Sequence, residues 1–282
     1  MKRGLTAMKH SVSTIQPNKI PAKVSEALDD YLKIADERLP DLLESFYLFG
    51  SISINAHQEG LSDIDFFAVV KRELTEAEVE ALRQIHQEMK RKYPKPGLDG
   101  MYVRREDLEG TNEGGRCPYF NEGKLQGYRL FHRNWIDAFQ LKMYGIVVRG
   151  LPIETYSLPL DWKGLKASLI ENINGYWLNW VKRCESVRSL QFPGLFVSSG
   201  MIEWGVLGVT RLYYSIREED ITSKMGGGEY ALRTVPEEYH KIIREALRIR
   251  NGNKFSLYGS IVKRRRDVLK FMNYMIKECN NL

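Results

Sequence analysis

The chain has 282 residues, 43% of them hydrophobic and 28% charged, enough for one large core or two ordinary ones and outside disordered or fibrous compositions. No window approaches the uninterrupted apolar length of a membrane span, so a cytoplasmic protein of two soluble domains is expected, with a monomer as the default. The net charge of +6 suits a polyanion, either nucleic acid or the triphosphate of a nucleotide, and the three scattered cysteines suggest neither a disulfide framework nor a zinc site.

In chain order, Pro21 opens a helical pattern with Val24, Leu28, Tyr31, Leu32, Ala35 and Leu39 at three- and four-residue steps. Phe46 to Phe49 reads as a short buried strand and Ile64 to Val70 as a second, since both are apolar, aromatic-rich and bounded by Gly or charge. A surface helix starts from the N-cap candidate Thr75, with acids in its first turn, bases in its last, and Val79, Leu82, Ile85 and Met89 facing inward. Pro94, Pro96 and Gly97 then make a turn into a third strand candidate, Leu98 to Val103. Strand, helix and strand in this order predict a mixed α/β sheet.

From Arg149 the segment RGLPIETYSLPLDW loses periodicity around Pro152 and Pro159, and the rest of the chain reads as helical. The boundary is placed there, giving domains 1–155 and 156–282. In the last helix Ile261, Leu269, Met272 and Ile276 are expected on the inner face, and the basic run Lys263 to Arg266 on the wet one.

Between the first two strands lies GSISINAHQEGLSDID, which carries the chemistry. Asp63 and Asp65 are two apart at a strand start, so their side chains point to one face and can hold a divalent cation. Magnesium prefers carboxylates plus substrate phosphates, and paired ions can bridge attacking and leaving oxygens. Asp99, early in the third strand, is the natural third acid, as metal ligand or as acceptor of a hydroxyl proton, with Gly100 leaving its surroundings open. Gly50 and Ser51 end the first strand, where a short helix would turn backbone N–H groups and a hydroxyl to a phosphate. An acid-x-acid pair alone is common, and Glu76, Glu78 and Glu80 repeat it on a solvated helix; the coincidence of all these elements carries the argument.

These residues resemble the nucleotidyltransferase superfamily that includes DNA polymerase beta, whose signature is Gly-Ser, a spacer, Asp-x-Asp and a third acid on a nearby strand. The helical half narrows the likeness. LGVTRLYYSIREEDITSKMGGGEYALRTVPEEYHKIIREAL is similar to aminoglycoside adenylyltransferases of the streptomycin and spectinomycin type. The resemblance implies an α+β architecture, a small polymerase-beta-like nucleotidyltransferase domain followed by an all-α bundle, with the site between them. It implies two Mg²⁺ ions on Asp63, Asp65 and Asp99, ATP as co-substrate, and Lys224 and Arg211 beside Gly50 and Ser51 as nucleotide-binding residues. From the residues alone, Lys224 beside Gly226, Gly227 and Gly228 could equally be solvated, and Arg211 on an apolar helix face needs some partner.

The sequence departs from streptomycin-modifying members at Met201 and Phe192, where they place an acid and a Trp, and Asp99 stands where they usually have Glu. Glu203 could supply a substitute carboxylate, and Trp177, Trp180 and Trp204 an apolar wall. A cationic acceptor could also be met by Glu113, Glu122 or the Glu218, Glu219, Asp220 run. The function implied is transfer of AMP to a hydroxyl of an aminoglycoside-like molecule with release of pyrophosphate. Two other readings remain. One is a nucleotidyltransferase acting on RNA or protein, with Lys263 to Arg266 guiding a phosphate backbone. The other is a nucleotide-binding relative that no longer transfers.

Overall fold

The computed structural model describes residues 20–110, 115–131, 135–158 and 160–282. Two compact units emerge, one formed by the chain up to Arg105 with Arg116–Arg129 and Tyr144–Ile153, the other by Glu106–Gly115, Leu130–Met143 and Glu154–Leu282.

The first unit is built on helix α1 (Ala22–Arg38), strand β1 (Leu43–Leu48), the one-turn helix α2 (Gly50–Ser53), β2 (Ile64–Val70), α3 (Glu76–Lys92), β3 (Leu98–Arg104), and β4 (Cys117–Asn121), β5 (Lys124–Arg129) and β6 (Ile146–Arg149). The strands form one sheet in the order β5-β4-β3-β2-β1-β6. Only β2 and β3 run parallel, joined by α3 as crossover; the other neighbours are antiparallel, so the sheet is mixed as expected. Phe46, Leu48, Phe66, Ala68 and Tyr102 pack with Val24, Leu28, Tyr31, Leu82, Ile85 and Met89 of α1 and α3 into one core. Thr75 caps α3 reciprocally: its hydroxyl accepts from Glu78 N–H, and the Glu78 carboxylate accepts from Thr75 N–H at 2.8 Å.

Three details differ from the sequence expectation. The first strand is Leu43–Leu48, and Phe49 serves as the N-cap residue of α2. His86 joins the inner face of α3, stacked on Phe120 with ring centroids 4.0 Å apart and Nε2 2.9 Å from Tyr102 Oη; burial pushes its pKa down to about 3, so it packs as a neutral ring. The β4–β5 hairpin was not anticipated. Its turn has Glu122 and Gly123 at φ 53° and 73°, the pair of positive values a two-residue hairpin turn demands.

In the second unit the helices are α4 (Arg105–Leu108), which begins at its edge, α5 (Trp135–Tyr144), α6 (Trp162–Asn172), α7 (Leu178–Glu185), α8 (Gln191–Val197), α9 (Ser199–Glu218), α10 (Lys224–Thr234), α11 (His240–Arg250) and α12 (Ile261–Asn280). A π-helical turn, Ile173–Trp177, joins α6 to α7. The core gathers Trp177, Trp180, Val206, Val209, Tyr213, Ile243, Phe271 and Met272, with α9 at its centre. No single helix is long and apolar enough to cross a membrane among the described residues.

The basic run of α12 is not a wholly wet face, and Ile261 is not inside. Ile261 is 54% exposed, whereas Arg264 is 8% exposed and donates to Phe196 O at 3.1 Å. Arg265 turns to Cys184 O at 2.8 Å. Arg264 Nη1 also lies 3.6 Å from buried Glu245, whose carboxylate takes Arg248 at 2.9 and 3.0 Å, Ser256 Oγ at 2.7 Å and Leu257 N–H at 2.8 Å. Half of the run therefore ties helix ends and loops together, because fixed guanidinium forks satisfy buried carbonyls and carboxylates.

Candidate active site

In the first unit, alternation along β2 sends Ile64, Phe66 and Ala68 to the core under α1 and α3, which leaves Asp65 on the opposite face, with Asp63 just before the strand. The parallel register pairs Asp65 with Asp99, so β2 and β3 present their acids side by side. Two glycines make the room. Gly50 has φ +65°, and a Cβ there would lie 2.6 Å from Asp65 Cγ. At Gly97 a Cβ would lie 2.9 Å from Asp63 Oδ1 and 3.9 Å from Asp99 Oδ1, so these two carboxylates face a common point. Gly100 has a different task from the one expected: a Cβ there would lie 2.3 Å from Phe66 O and 2.5 Å from the Phe66 ring, so it makes room for core packing and not for Asp99.

Asp63 and Asp99 are held from outside the signature. Asp63 takes Lys95 Nζ at 2.7 and 2.8 Å on its two oxygens and Gly97 N–H at 3.0 Å. Asp99, 8% exposed, takes Asn121 Nδ2 at 2.6 Å and Glu122 N–H at 2.9 Å, both from the β4–β5 hairpin. Burial pushes the Asp99 carboxyl up and the negative charge of Asp63 adds to this, while the Glu122 N–H pulls it back. His57 in the connecting loop is pushed down by burial, against the opposing charge of Asp63, and its buried Nδ1 has no hydrogen-bond partner. Gly50 does begin the short helix α2, and Ser51 Oγ beside it is buried without a hydrogen-bond partner, a hydroxyl left for a ligand to satisfy.

Among the described residues no three His, Cys, Asp or Glu side chains gather closely enough to hold a metal by themselves. Adjacent carboxylates on two strands, walled by glycine, fit magnesium, whose remaining ligands are phosphate oxygens and water.

The second unit brings Arg211 and Lys224 together. Both line a cavity of about 440 Å³ with Asn172, Tyr176, Trp177, Trp204 and Thr222. Trp180, expected on the same wall, is core, 3% exposed and edge-on to Trp177. Glu203 does not stand ready for a cationic drug, because its Oε1 lies 3.1 Å from Lys224 Nζ and 3.5 Å from Arg250 Nη1. Burial pushes the Lys224 ammonium down, Glu203 opposes that, and Arg250 and Arg211 add to it. The glycine run after Lys224 is a packing device: a Cβ at Gly227 would lie 3.0 Å from Arg211 N and one at Gly228 2.6 Å from Leu247, so these glycines let α10 close on α9 and α11.

The remaining acids expected for an acceptor are scattered. Glu122 pairs with Lys90 at 2.5 Å, Glu218 accepts the Tyr230 hydroxyl, Glu219 is the left-handed C-cap of α9 at φ 56°, and Asp220 lies 3.5 Å from Tyr214 Oη. Glu113 lies outside the described residues.

Comparison with known proteins fits both halves. The family described as nucleotidyltransferase domain matches residues 28–98, and the family described as aminoglycoside adenylyltransferase, C-terminal domain, matches residues 202–278. Among solved structures, spectinomycin adenyltransferase AAD(9) from Enterococcus faecialis, crystallised with ATP and spectinomycin, is similar with a TM-score of 0.69 over 91% of this chain and 99% of that one; at 16% identity the likeness is one of fold. No curated protein matches the sequence.

Proposed function

We propose that this chain, which belongs to the nucleotidyltransferases of the aminoglycoside adenylyltransferase type, transfers AMP from ATP to a hydroxyl of an aminoglycoside and releases pyrophosphate. The observation that carries the reading is the side-by-side placement of Asp65 and Asp99 on parallel strands, with Asp63 facing Asp99 across Gly97.

Magnesium, two ions held by Asp63, Asp65 and Asp99 together with nucleotide phosphates, would supply charge neutralisation at the α-phosphate and the leaving pyrophosphate. The protein's own groups do the rest. Asp99 accepts the proton of the attacking hydroxyl, oriented for that task by Asn121 Nδ2 and Glu122 N–H. The acceptor oxygen bonds to the α-phosphorus as the bond to the β-phosphate bridge oxygen breaks. Ser51 Oγ, Lys224 and Arg211 hold the phosphates, with Gly50 keeping the backbone close. As acceptor we infer a spectinomycin-type molecule in preference to a streptomycin-type one. Met201 replaces the acid, and Phe192, where the Trp is expected, carries the Arg265 guanidinium 4.4 Å above its ring.

The test is incubation with Mg²⁺, each nucleoside triphosphate and a panel containing spectinomycin, streptomycin, RNA and protein, following pyrophosphate and acceptor mass. Spectinomycin heavier by one AMP, lost in Asp63→Asn, supports the reading. Labelled RNA or protein, or nucleotide binding with no turnover on any acceptor, overturns it.

A further inference from the structure

We propose that Lys95 is a resident counter-cation of the acid cluster, which competes with divalent metal for Asp63 and releases that carboxylate when the metal binds. The proposal rests on the metal-dependent reading above. Its basis is geometric. Lys95 Nζ sits 2.7 and 2.8 Å from the two oxygens of Asp63, so both oxygens through which Asp63 would ligate are already engaged. Without that ammonium, Asp63 would face Asp99 across Gly97 with its charge uncompensated. Lys95 lies in the turn between α3 and β3, 36% exposed, on a flexible four-carbon stem. A second carboxylate is within reach, since Glu122 Oε1 is 3.9 Å from the same ammonium. The ammonium therefore has a resting position on Asp63 and an adjacent one on Glu122, and movement between them exposes the metal ligand without leaving the lysine unpaired.

Lys92 supplies the control, since it ends α3 and pairs with Asp30 at 2.5 Å, away from both Asp63 and Glu122. Removing it deletes one positive charge from the same end of α3 without touching either carboxylate. The experiment measures Mn²⁺ binding by electron paramagnetic resonance on the full chain without nucleotide, so that no phosphate contact of Lys95 enters. Lys95→Met is expected to bind Mn²⁺ roughly fivefold tighter than wild type, the size of a well-formed, partly exposed ion pair, and Lys92→Met to change affinity by less than about twofold. Lys95→Gln, which keeps a polar tip, provides a second variant, and melting curves confirm that each protein is folded. Unchanged or weaker binding in both Lys95 variants overturns the proposal, as does equal tightening in Lys92→Met. Asp63→Asn separates the two layers. If it abolishes Mn²⁺ binding while the Lys95 variants match wild type, the metal reading stands and the counter-cation fails. If Asp63→Asn leaves Mn²⁺ binding unchanged, both fail.

Discussion

The acid cluster depends on the absence of a side chain at position 50, and Gly50→Ala tests this quantitatively. The added methyl would sit 2.6 Å from Asp65 Cγ and 2.9 Å from Asp65 Cβ. An ordinary carbon contact needs about 3.5 Å or more, so the carboxylate must retreat by roughly 1 Å. A second cost is independent of Asp65: at φ +65° an L-residue loses on the order of 1 kcal/mol relative to glycine. Gly60 isolates it, since Gly60 has φ +76° and a Cβ there meets nothing within 4 Å. Gly60→Ala should therefore lose about 1 kcal/mol of stability and keep its activity. Gly50→Ala should lose a comparable amount of stability and, in addition, about 10²-fold in kcat/KM for pyrophosphate release, the usual consequence of displacing a reacting group by 1 Å. Denaturant melts and steady-state kinetics on both variants decide the matter. Gly50→Ala within about threefold of wild type, or an equal loss of activity in Gly60→Ala, would refute the reasoning that Gly50 exists to seat Asp65.

Further outcomes follow from the same geometry. In the metal-free protein the Asp99 carboxyl should titrate above its ordinary 3.8, and Asp63→Asn should lower it, as read by carboxyl NMR; an Asp99 pKa indifferent to Asp63 contradicts the facing arrangement. Lys224→Met should raise KM for ATP by about tenfold or more, the loss of one charge-assisted contact, with kcat less affected. Burial pushes Glu245 up, but Arg248, Leu257 N–H and Ser256 outweigh it and bring its pKa down to about 2 from 4.5. Because the folded value lies below the unfolded one, the stabilisation is complete above pH 4.5 and lost as pH falls towards 2. Wild type should thus lose roughly 2 kcal/mol more than Glu245→Gln between those limits in denaturant melts.

What the sequence disclosed followed distance along the chain. Helices α1 and α3 and strands β2 and β3 were legible because each writes its own period: apolar steps of three and four, an unbroken apolar run, and Thr75 as an N-cap with acids in the turn behind it. The hairpin escaped notice because β5 is half solvated, its residues alternating between partly buried and exposed, with little apolar content. The Glu122–Gly123 turn was its available signal, since Gly at the second of two positive-φ positions is the mark of a tight hairpin. The glycines of α10 stood beside Lys224 as a place where a triphosphate could be met, although Gly227 and Gly228 serve close helix packing; composition alone does not tell a backbone approaching a ligand from one approaching another helix.

The candidate site divides along the same line. Asp63, Asp65, Gly50 and Ser51 could be named because the chemistry requires them within sixteen residues of one another, on a strand, a turn and a one-residue alternation. The groups that hold them in place could not. Lys95 reaches Asp63 across 32 positions, Asn121 reaches Asp99 across 22, and the contact of Glu203 with Arg250 joins α9 to α11. Such partners need only end up adjacent, and no local spacing rule constrains their type. Glu203 illustrates the consequence. As a lone acid near an expected drug contact it invited a role as substitute carboxylate, yet a carboxylate 9% exposed beside Lys224 and Arg250 is already compensated, and a cationic acceptor would have to displace both from it. A pairing made across the fold, and not proximity in sequence to a known drug contact, decides what such an acid can meet.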